Sequence, residues 1–319
     1  MKKRANTVFR GLLLMASAML IIGCHTGIES TRAIKMSRSD LRETRPSEEE
    51  IFARALRSDS VAVWSPGKEF LISDSKAVLV LELPSGVPAD PARAALAGDT
   101  LRFERVVSIS TPGSGEVAAI EFRGDKGIYR YRTTKTMEEA LKDVSGLDIP
   151  MLIDLDMVAA ADTLLRGRRL WTRSGLWYDA EGNPFDGRKF VPVTVSAVRA
   201  GNMVFPLAVD IVDSDGREAY MYMNVRAGSG LGAESRTFPS LFSLTDPQSL
   251  YQDITPEIWR LIQDGRVTAG MTKLECKLSL GNPDEVNAGH DWSNTIDVWS
   301  YRDGTFLRFE NGLLVDFRY

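Results

Sequence analysis

The stretch "GMTKLECKLSLGNP", residues 270–283, carries both a start signal and a stop signal for a short helix. Thr272 and Glu275 are spaced as a capping box, in which each side chain satisfies a free backbone N–H of the first turn. Gly281 suits the left-handed position that ends many helices, and Pro283 prevents the helix from continuing. The stretch therefore predicts a helix with fixed ends.

The apolar residues of the same stretch predict that this helix belongs to a core. Met271, Cys276 and Leu280 are spaced for one buried stripe, with Leu274 or Leu278 at its margin. Burial in apolar surroundings raises the pKa of a thiol, so Cys276 is expected to be a core residue rather than a nucleophile. Residues 270–283 therefore indicate scaffold rather than an active site.

The flanking segments complete an ααβββ unit over residues 251–319. Thr255 is placed as the N-cap of an earlier helix that ends at Gly265. The strand-like runs "IDVWSY", "TFLRFE" and "LLVDFRY" follow, separated by Asp-Gly and Asn-Gly at 303–304 and 311–312. Both dipeptides favour two-residue hairpins, because type I′ turns need positive φ at both central positions.

The segment "EVNAGHDWSN", residues 285–294, is predicted to be a polar loop between the second helix and the strands. It contains His290 and Trp292, which are the candidate partner-binding residues of the chain. A tryptophan in a polar loop can anchor a partner protein. The alternative is that Trp292 folds back and caps the core.

The closing unit resembles the SmpA/OmlA family, which includes the small lipoprotein of the outer-membrane β-barrel assembly machine. It also resembles β-lactamase-inhibitor-protein repeats. The matching residues are Gly270, Met271, Thr272, Cys276, Leu280, Gly281, Pro283, Trp299, Tyr301, Asn311 and Gly312. The resemblance covers the last fifth of the chain and implies a scaffold that binds another protein.

The N-terminus predicts a secretory signal peptide over residues 1–23. Four cations within residues 2–10 precede an apolar run over residues 11–22, which is too short to span a bilayer as a helix. The run ends in Ile21-Ile22-Gly23-Cys24, which resembles the lipobox of bacterial lipoproteins. That resemblance implies that the chain is cut before Cys24 and that Cys24 is lipidated.

The residues after Cys24 favour the outer membrane as the location. An aspartate directly after the lipidated cysteine would resemble an inner-membrane retention signal, and this chain has His25 at that position. No acidic cluster of the kind that some lineages use for surface export follows directly, so the periplasmic face is favoured. Residues 24–47 are polar and predict a flexible, lipidated tether.

Two β-rich modules are predicted between the tether and the closing unit, which gives an α+β fold class. Residues 48–150 begin with a Ser47/Glu50 capping box and continue with short alternating runs broken by Gly and Pro. Residues 151–250 form the second module. Strand length and spacing favour small SH3-like barrels. Partial echoes, such as "LAGDTL" and "LRGRRL", suggest that the second module is a divergent repeat of the first.

The composition excludes several classes of function. After loss of the four signal-peptide cations, the chain has 35 Lys and Arg residues and 43 Asp and Glu residues. This acidic balance, without a basic stripe, argues against nucleic-acid binding. The chain has only two histidines and lacks the common nucleophile, zinc and phosphate-loop motifs. We therefore predict no catalytic residue, no metal site and no cofactor.

Three further features are candidate functional sites, and each also has a purely structural interpretation. Asp154 and Asp156 could act as an acid–base pair or be solvated acids at the edge of an element. The segment "DAEGNPFDG" from 179 to 187 could hold Ca²⁺ or form a polar turn. An aromatic group could form a platform for a sugar or peptide, or pack in the core. This group comprises Trp171, Trp177, Tyr178, Phe185, Phe190, Tyr220 and Tyr222.

These features together predict a lipid-anchored, non-enzymatic envelope protein. Its expected role is to bind another protein in outer-membrane assembly or maintenance. The alternatives are an inhibitor or ligand sensor on the inhibitor-protein scaffold, and a carbohydrate-binding lipoprotein.

The lipid anchor is tested by the Cys24→Ala variant. Several acyl chains, at about 0.8 kcal/mol for each buried CH₂ group, hold a protein on a membrane where one chain does not. We expect Cys24→Ala to move the protein from the membrane fraction to the soluble fraction on ultracentrifugation. Cys276→Ala is the matched control and should stay with the membrane. Membrane retention of Cys24→Ala would refute lipidation at this residue.

Overall fold

The computed structural model describes residues 46–111, 115–144, 146–225, 236–291 and 294–319. The predicted signal peptide, Cys24 and nearly all of the predicted tether lie outside the described residues. Pro46–Tyr319 forms one compact unit. Helices are combined with three antiparallel sheets, which confirms the α+β class.

Within the described ranges, no helix has both the length and the apolar character needed to cross a membrane.

The first sheet has six strands in the order β2-β5-β4-β3-β1-β6. Its core contains tightly packed aromatic rings, such as Phe70 and Phe122, whose centroids lie 5.3 Å apart. The strands are β1 (Glu69–Ile72), β2 (Leu81–Glu82), β3 (Thr100–Thr111), β4 (Gly115–Gly124), β5 (Gly127–Arg132) and β6 (Leu152–Asp154). Helices α2 (Pro91–Ala94) and α3 (Met137–Lys142) and 3-10 turns at Val61–Val63 and Ser75–Leu79 accompany them.

The second sheet has seven strands in the order β13-β7-β10-β11-β12-β8-β9. The strands are β7 (Arg169–Thr172), β8 (Leu176–Tyr178), β9 (Pro184–Asp186), β10 (Pro192–Ala200), β11 (Leu207–Asp213), β12 (Glu218–Met223) and β13 (Phe242–Ser243). Its core is covered by α1 (Glu48–Arg54), α4 (Leu155–Leu165) and α5 (Phe238–Leu241).

The third sheet lies against two helices that form a separate core. These are α6 (Pro256–Gln263) and α7 (Lys273–Leu280), and a 3-10 turn at Pro247–Leu250 precedes them. The strands are β14 (Glu285–Asp291), β15 (Asn294–Ser300), β16 (Phe306–Glu310) and β17 (Leu313–Arg318), which pair in chain order.

The closing unit therefore contains four strands, and its predicted ααβββ order is wrong by one strand. Residues 285–291 form strand β14 instead of a loop, because their backbone pairs with β15 from Glu285/Ser300 to Asp291/Asn294. The residues Asn, Gly and Asp in this segment have low strand propensity, so the strand is revealed by its pairing with the adjacent β15 and not by its composition.

The two predicted hairpin turns differ from each other. Asn311 and Gly312 have φ of 51° and 86°, which are the positive values that a type I′ turn requires. At the other turn only Gly304 has positive φ, and the N–H of Tyr301 donates to the carbonyl of Thr305. That connection is a three-residue loop rather than the predicted two-residue turn.

The first two modules differ from the predicted division in two places. Helix α1 packs on the second core, where Phe52 lies 4.7 Å from Phe238, rather than on the first. Strand β6 belongs to the first sheet, although it lies after the predicted boundary at residue 150. Among the described residues, the strand order of each large sheet runs from one edge to another, so these pairings do not describe a small closed barrel.

The suggested repeat has a local structural counterpart. In both echoes a fully buried leucine lies at or just after the end of a helix: Leu165 is the last residue of α4, and Leu96 lies two residues after α2. A glycine with positive φ, Gly167 or Gly98, follows, and a strand starts soon afterwards. The strand after Gly98, β3, is part of the central meander of the first sheet, whereas the strand after Gly167, β7, pairs with β10 at the side of the second meander.

The residues before α7 pair with the start of β17, one of the two edge strands of the third sheet. The N–H of Gly270 donates to the carbonyl of Leu314 at 2.7 Å, and the N–H of Leu314 donates to the carbonyl of Met271 at 2.8 Å. Thr272 and Leu313 form an antiparallel bridge. Gly270 has φ of 89°, a conformation that favours glycine. The stretch 270–272 thus pairs with edge strand β17 immediately before α7 begins.

A short segment after β9, which contains Lys189 and Phe190, connects the second sheet to the third core through side-chain contacts. Phe190 is buried there, 5.8 Å from the ring of Trp259. The ammonium group of Lys189 donates to the carbonyl of Ser279 near the C-terminus of α7, where a helix favours a cation. Burial lowers the pKa of Lys189.

The capping box of α7 predicts a measurable loss of stability. The Thr272 hydroxyl accepts from the N–H of Glu275, whose carboxylate accepts from the N–H of Thr272. Thr272→Ala should lower the free energy of unfolding by about 1 kcal/mol in urea titrations, because the cap is lost. Thr163→Ala, on the exposed side of α4, is the control and should change it by less than about 0.5 kcal/mol. Equal effects would contradict a stabilising role for the cap.

Candidate protein-binding surface

The two edge strands of the third sheet, β17 and β14, are treated differently by the fold. The backbone of residues 270–272 pairs with β17, as described above. No segment within the described ranges pairs with the outer edge of β14. An edge strand presents unpaired N–H and C=O groups on its outer side, and these can pair with another chain. Strand β14 is therefore an open edge along its whole length, whereas β17 is covered at Leu313 and Leu314.

A shallow apolar depression lies beside this open edge. It has a volume of about 300 Å³ and is formed by Asn287, Ala288, Gly289, Ile296 and Val298. Gly289 and Ile296 face each other across the β14–β15 pair. A Cβ atom at Gly289 would meet only the carbonyl oxygen of Ile296, at 3.9 Å. The lack of a side chain at Gly289 therefore makes the depression deeper. This surface is concave, apolar and continuous with unpaired backbone.

Charged residues border the depression on the next strand. Arg308 lies opposite Val298 and Glu310 lies opposite Ile296 in the register of β15 and β16. The Arg308 guanidinium forms an ion pair with the Glu310 carboxylate. An apolar centre with a polar border is the arrangement found at many protein interfaces.

Of the two candidate partner-binding residues, the structure describes only His290. Its backbone pairs with Thr295 near the end of β14, so His290 lies on the open edge strand rather than in a loop. Trp292 lies outside the described residues. Their role in partner binding stays a prediction, and Ile296 and Val298 are predicted from the sequence only as strand residues. Their alternation in "TIDVWSY" is the signal that could have placed them on a common face.

Cys276 is a core residue, as predicted. Its side chain has no exposed surface, and it packs with Met271, Trp299 and other residues of the third core. Burial raises the pKa of the thiol to about 12, with a smaller contribution from the negative charge of Glu275. The thiolate that a nucleophile requires is therefore strongly disfavoured at neutral pH.

Asp154 and Asp156 share one cation. The Nζ atom of Lys68 lies 2.7 Å from Asp154 Oδ1 and 2.8 Å from Asp156 Oδ2. Asp154 is buried and also caps helix α4 by accepting from the N–H groups of Asp156 and Met157. Burial lowers the pKa of Lys68, but the hydrogen bonds and charges of the two aspartates outweigh it, so the net direction is upward. The prediction that both acids are solvated is wrong for Asp154.

The candidate calcium loop is a hydrogen-bonded turn. The Asp179 carboxylate accepts from the backbone N–H of Asn183 at 2.8 Å and from its side-chain amide at 3.1 Å. These bonds lower the pKa of Asp179. Strands β8 and β9 pair on either side of the turn. The part of the chain that the structure describes contains no cluster of three or more His, Cys, Asp or Glu that could hold a metal ion.

The aromatic group divides between the cores and one face of the second sheet. Trp177 is fully buried in the second core. Tyr178 lies 5.4 Å from Tyr220 and 5.0 Å from Tyr222, measured between ring centroids. The Arg199 guanidinium lies over the Tyr220 ring at 4.4 Å. The tyrosines therefore contact one another and an arginine, which leaves less free ring surface than a sugar platform needs.

No protein-family model, no curated protein and no solved structure matches this chain.

The ion pair of Lys68 predicts unequal effects of two substitutions. Lys68→Met should lower the free energy of unfolding by about 3–5 kcal/mol, because it leaves the buried Asp154 carboxylate without its cation. Asp156→Asn is the control, since Asp156 is 68% exposed and an exposed pair contributes about 0–1 kcal/mol. Urea unfolding monitored by tryptophan fluorescence measures both. A loss of less than about 1 kcal/mol in Lys68→Met would contradict the structural role of the pair.

Proposed function

We propose that this chain is a lipid-anchored, non-enzymatic envelope protein whose closing unit binds a partner protein in outer-membrane assembly or maintenance. The observation that carries the proposal is the open edge of β14 beside the apolar depression. An extended segment of the partner would add to β14 as a further antiparallel or parallel strand. Backbone hydrogen bonds would supply affinity, and an apolar partner side chain seated over Ile296 and Val298 would supply specificity.

The sequence supports this proposal at both ends of the chain. The lipobox at Cys24 is the basis for an anchor at the outer membrane, on its periplasmic face, and the polar residues that follow are the basis for a tether. The SmpA/OmlA-like pattern at 270–312 is the basis for a protein-binding scaffold. In the structure, the pattern residues Gly270, Met271 and Thr272 have structural roles, so recognition is left to the opposite edge of the sheet.

The site geometry favours protein binding over the alternatives considered from the sequence. A carbohydrate platform needs exposed ring faces, whereas Tyr178, Tyr220 and Tyr222 contact one another. An acid–base pair needs carboxylates that can exchange protons, whereas Lys68 binds both Asp154 and Asp156.

Site-specific photo-cross-linking in intact cells tests the proposed surface. A photoreactive residue at Asn287, on β14, should give a discrete adduct with an envelope protein, while one at Val63, an exposed valine outside the third sheet, should not. The adduct should fall at least about fivefold in a Val298→Lys background, because a buried lysine ammonium in the depression is unfavourable. It should also fall with Trp292→Ala.

Leu250→Lys is the matched control, because Leu250 is exposed and lies outside the depression. Its adduct yield should equal that of the unchanged protein. An adduct that survives Val298→Lys at full yield, or that forms equally from position 63, would contradict the proposed interface.

A further inference from the structure

A second concave site lies where the first and second sheets meet. Strand β6 ends the first sheet at Asp154, and α4, which packs on β10, begins at the next residue. A cleft of about 440 Å³, which we call the junction cleft, opens beside this connection. Residues 148–153 form one wall, and Asn202, Met203, Val204 and Pro206, between β10 and β11, form the other. Small-molecule sites have volumes of about 300–1,000 Å³ and often lie at such interfaces.

The lining of the junction cleft is mainly aliphatic, with Ser73, Asp148, Asn202 and Asn224 as its polar residues. Val80, Ile149, Met151, Leu152, Met203 and Val204 contribute to it. None of the described residues that line it is aromatic, and none is cationic. Methionine side chains are flexible and polarizable, so Met151 and Met203 can adapt to an alkyl chain. The surface suits an aliphatic ligand and offers no counter-charge to an anion.

Both walls are held in place by local hydrogen bonds. Met151 has φ of 64°, an unusual value for a residue other than glycine, and its carbonyl accepts from the N–H of Ser73 at 2.8 Å and from its hydroxyl at 3.0 Å. Asn202 Oδ1 accepts from the N–H groups of Val204 and Phe205 at 2.8 and 2.9 Å. Strained backbone that is held in this way is concentrated at ligand sites. The cleft is therefore preformed.

An unsatisfied polar atom accompanies this apolar lining. Asn224 lines the cleft and is 5% exposed, and its Oδ1 atom is buried without a hydrogen-bond partner. Buried acceptors are usually paired, and an unpaired one is unfavourable. The terminal torsion of asparagine is soft, so a small rotation can present this oxygen to a donor in the cleft. A ligand with an O–H or N–H group would satisfy it.

We infer that the junction cleft binds a neutral, single-chain amphiphile whose alkyl chain lies on the aliphatic walls and whose hydroxyl or amide N–H donates to Asn224 Oδ1. The exposed Asp148 carboxylate at the same cleft disfavours an anionic head group. The site is separate from the β14 edge, and the inference does not depend on the proposed protein-binding function.

The test is binding of three probes of equal chain length, 1-decanol, decyl methyl ether and decanoate, to the full chain in lipid nanodiscs. Equilibrium dialysis fixes the free probe concentration, and ¹³C-labelled methionine methyl groups report binding by NMR. We expect 1-decanol to shift the Met151 and Met203 signals saturably. The ether, which lacks the donor, should bind about five- to tenfold more weakly. Decanoate should bind more weakly than 1-decanol.

Two variants and a control identify the site. Val204→Trp should fill the cleft and abolish the shifts, while Val63→Trp, at an exposed valine outside the cleft, should leave them unchanged. Asn224→Leu removes the unpaired oxygen, so it should bind 1-decanol and the ether equally and should raise the melting temperature. The inference is overturned if neither methionine responds saturably, if Val204→Trp binds as Val63→Trp does, or if Asn224→Leu keeps the preference for the alcohol.

Discussion

The closing unit depends on the pairing between the backbone of residues 270–272 and strand β17. Gly270 and Met271 form hydrogen bonds of 2.7 and 2.8 Å with Leu314, and the capping box of α7 begins at the next residue. These contacts fix where α7 starts relative to the sheet and bury Met271 against the third core. They also occupy the start of the outer edge of β17, at Leu313 and Leu314. Among the described residues no segment pairs with the outer edge of β14, and the proposed recognition is placed on that side.

The connection between the first two sheets also places fixed backbone beside an open surface. Strand β6 passes into α4 without a linker, and Lys68 binds the acids on both sides of that step. The two sheets are thus joined rigidly next to the junction cleft. Two oxygens near the connection, Asp154 Oδ2 and Asn224 Oδ1, are buried without partners. Unsatisfied polar atoms lower the stability of an otherwise well-paired fold, and the places where they occur are commonly functional.

Local signals in the sequence predicted local structure well. The capping boxes at Ser47/Glu50 and Thr272/Glu275 and the Asn311-Gly312 turn are all present, because each depends on residues a few positions apart. The errors concern contacts that residue propensities do not reveal. Strand β14 forms by hairpin pairing with β15 although its Asn, Gly and Asp disfavour a strand, and Asp154 is buried beside Lys68, 86 residues earlier in the chain. Neither the open edge of β14 nor the junction cleft has a sequence pattern, because each arises from the packing of separate elements.

Amide hydrogen exchange across the third sheet is the most direct measurement of this account. The N–H groups of Gly270 and Leu314 should be protected about as strongly as those in the middle of β15 and β16, since all of them are hydrogen-bonded within the unit. Within Glu285–Asp291, alternate amides should exchange almost as fast as in an unfolded chain, because they point away from the sheet. Rapid exchange at Gly270 and Leu314, or uniform protection along β14 in the isolated protein, would contradict the claim that residues 270–272 cover the start of β17 while β14 is open.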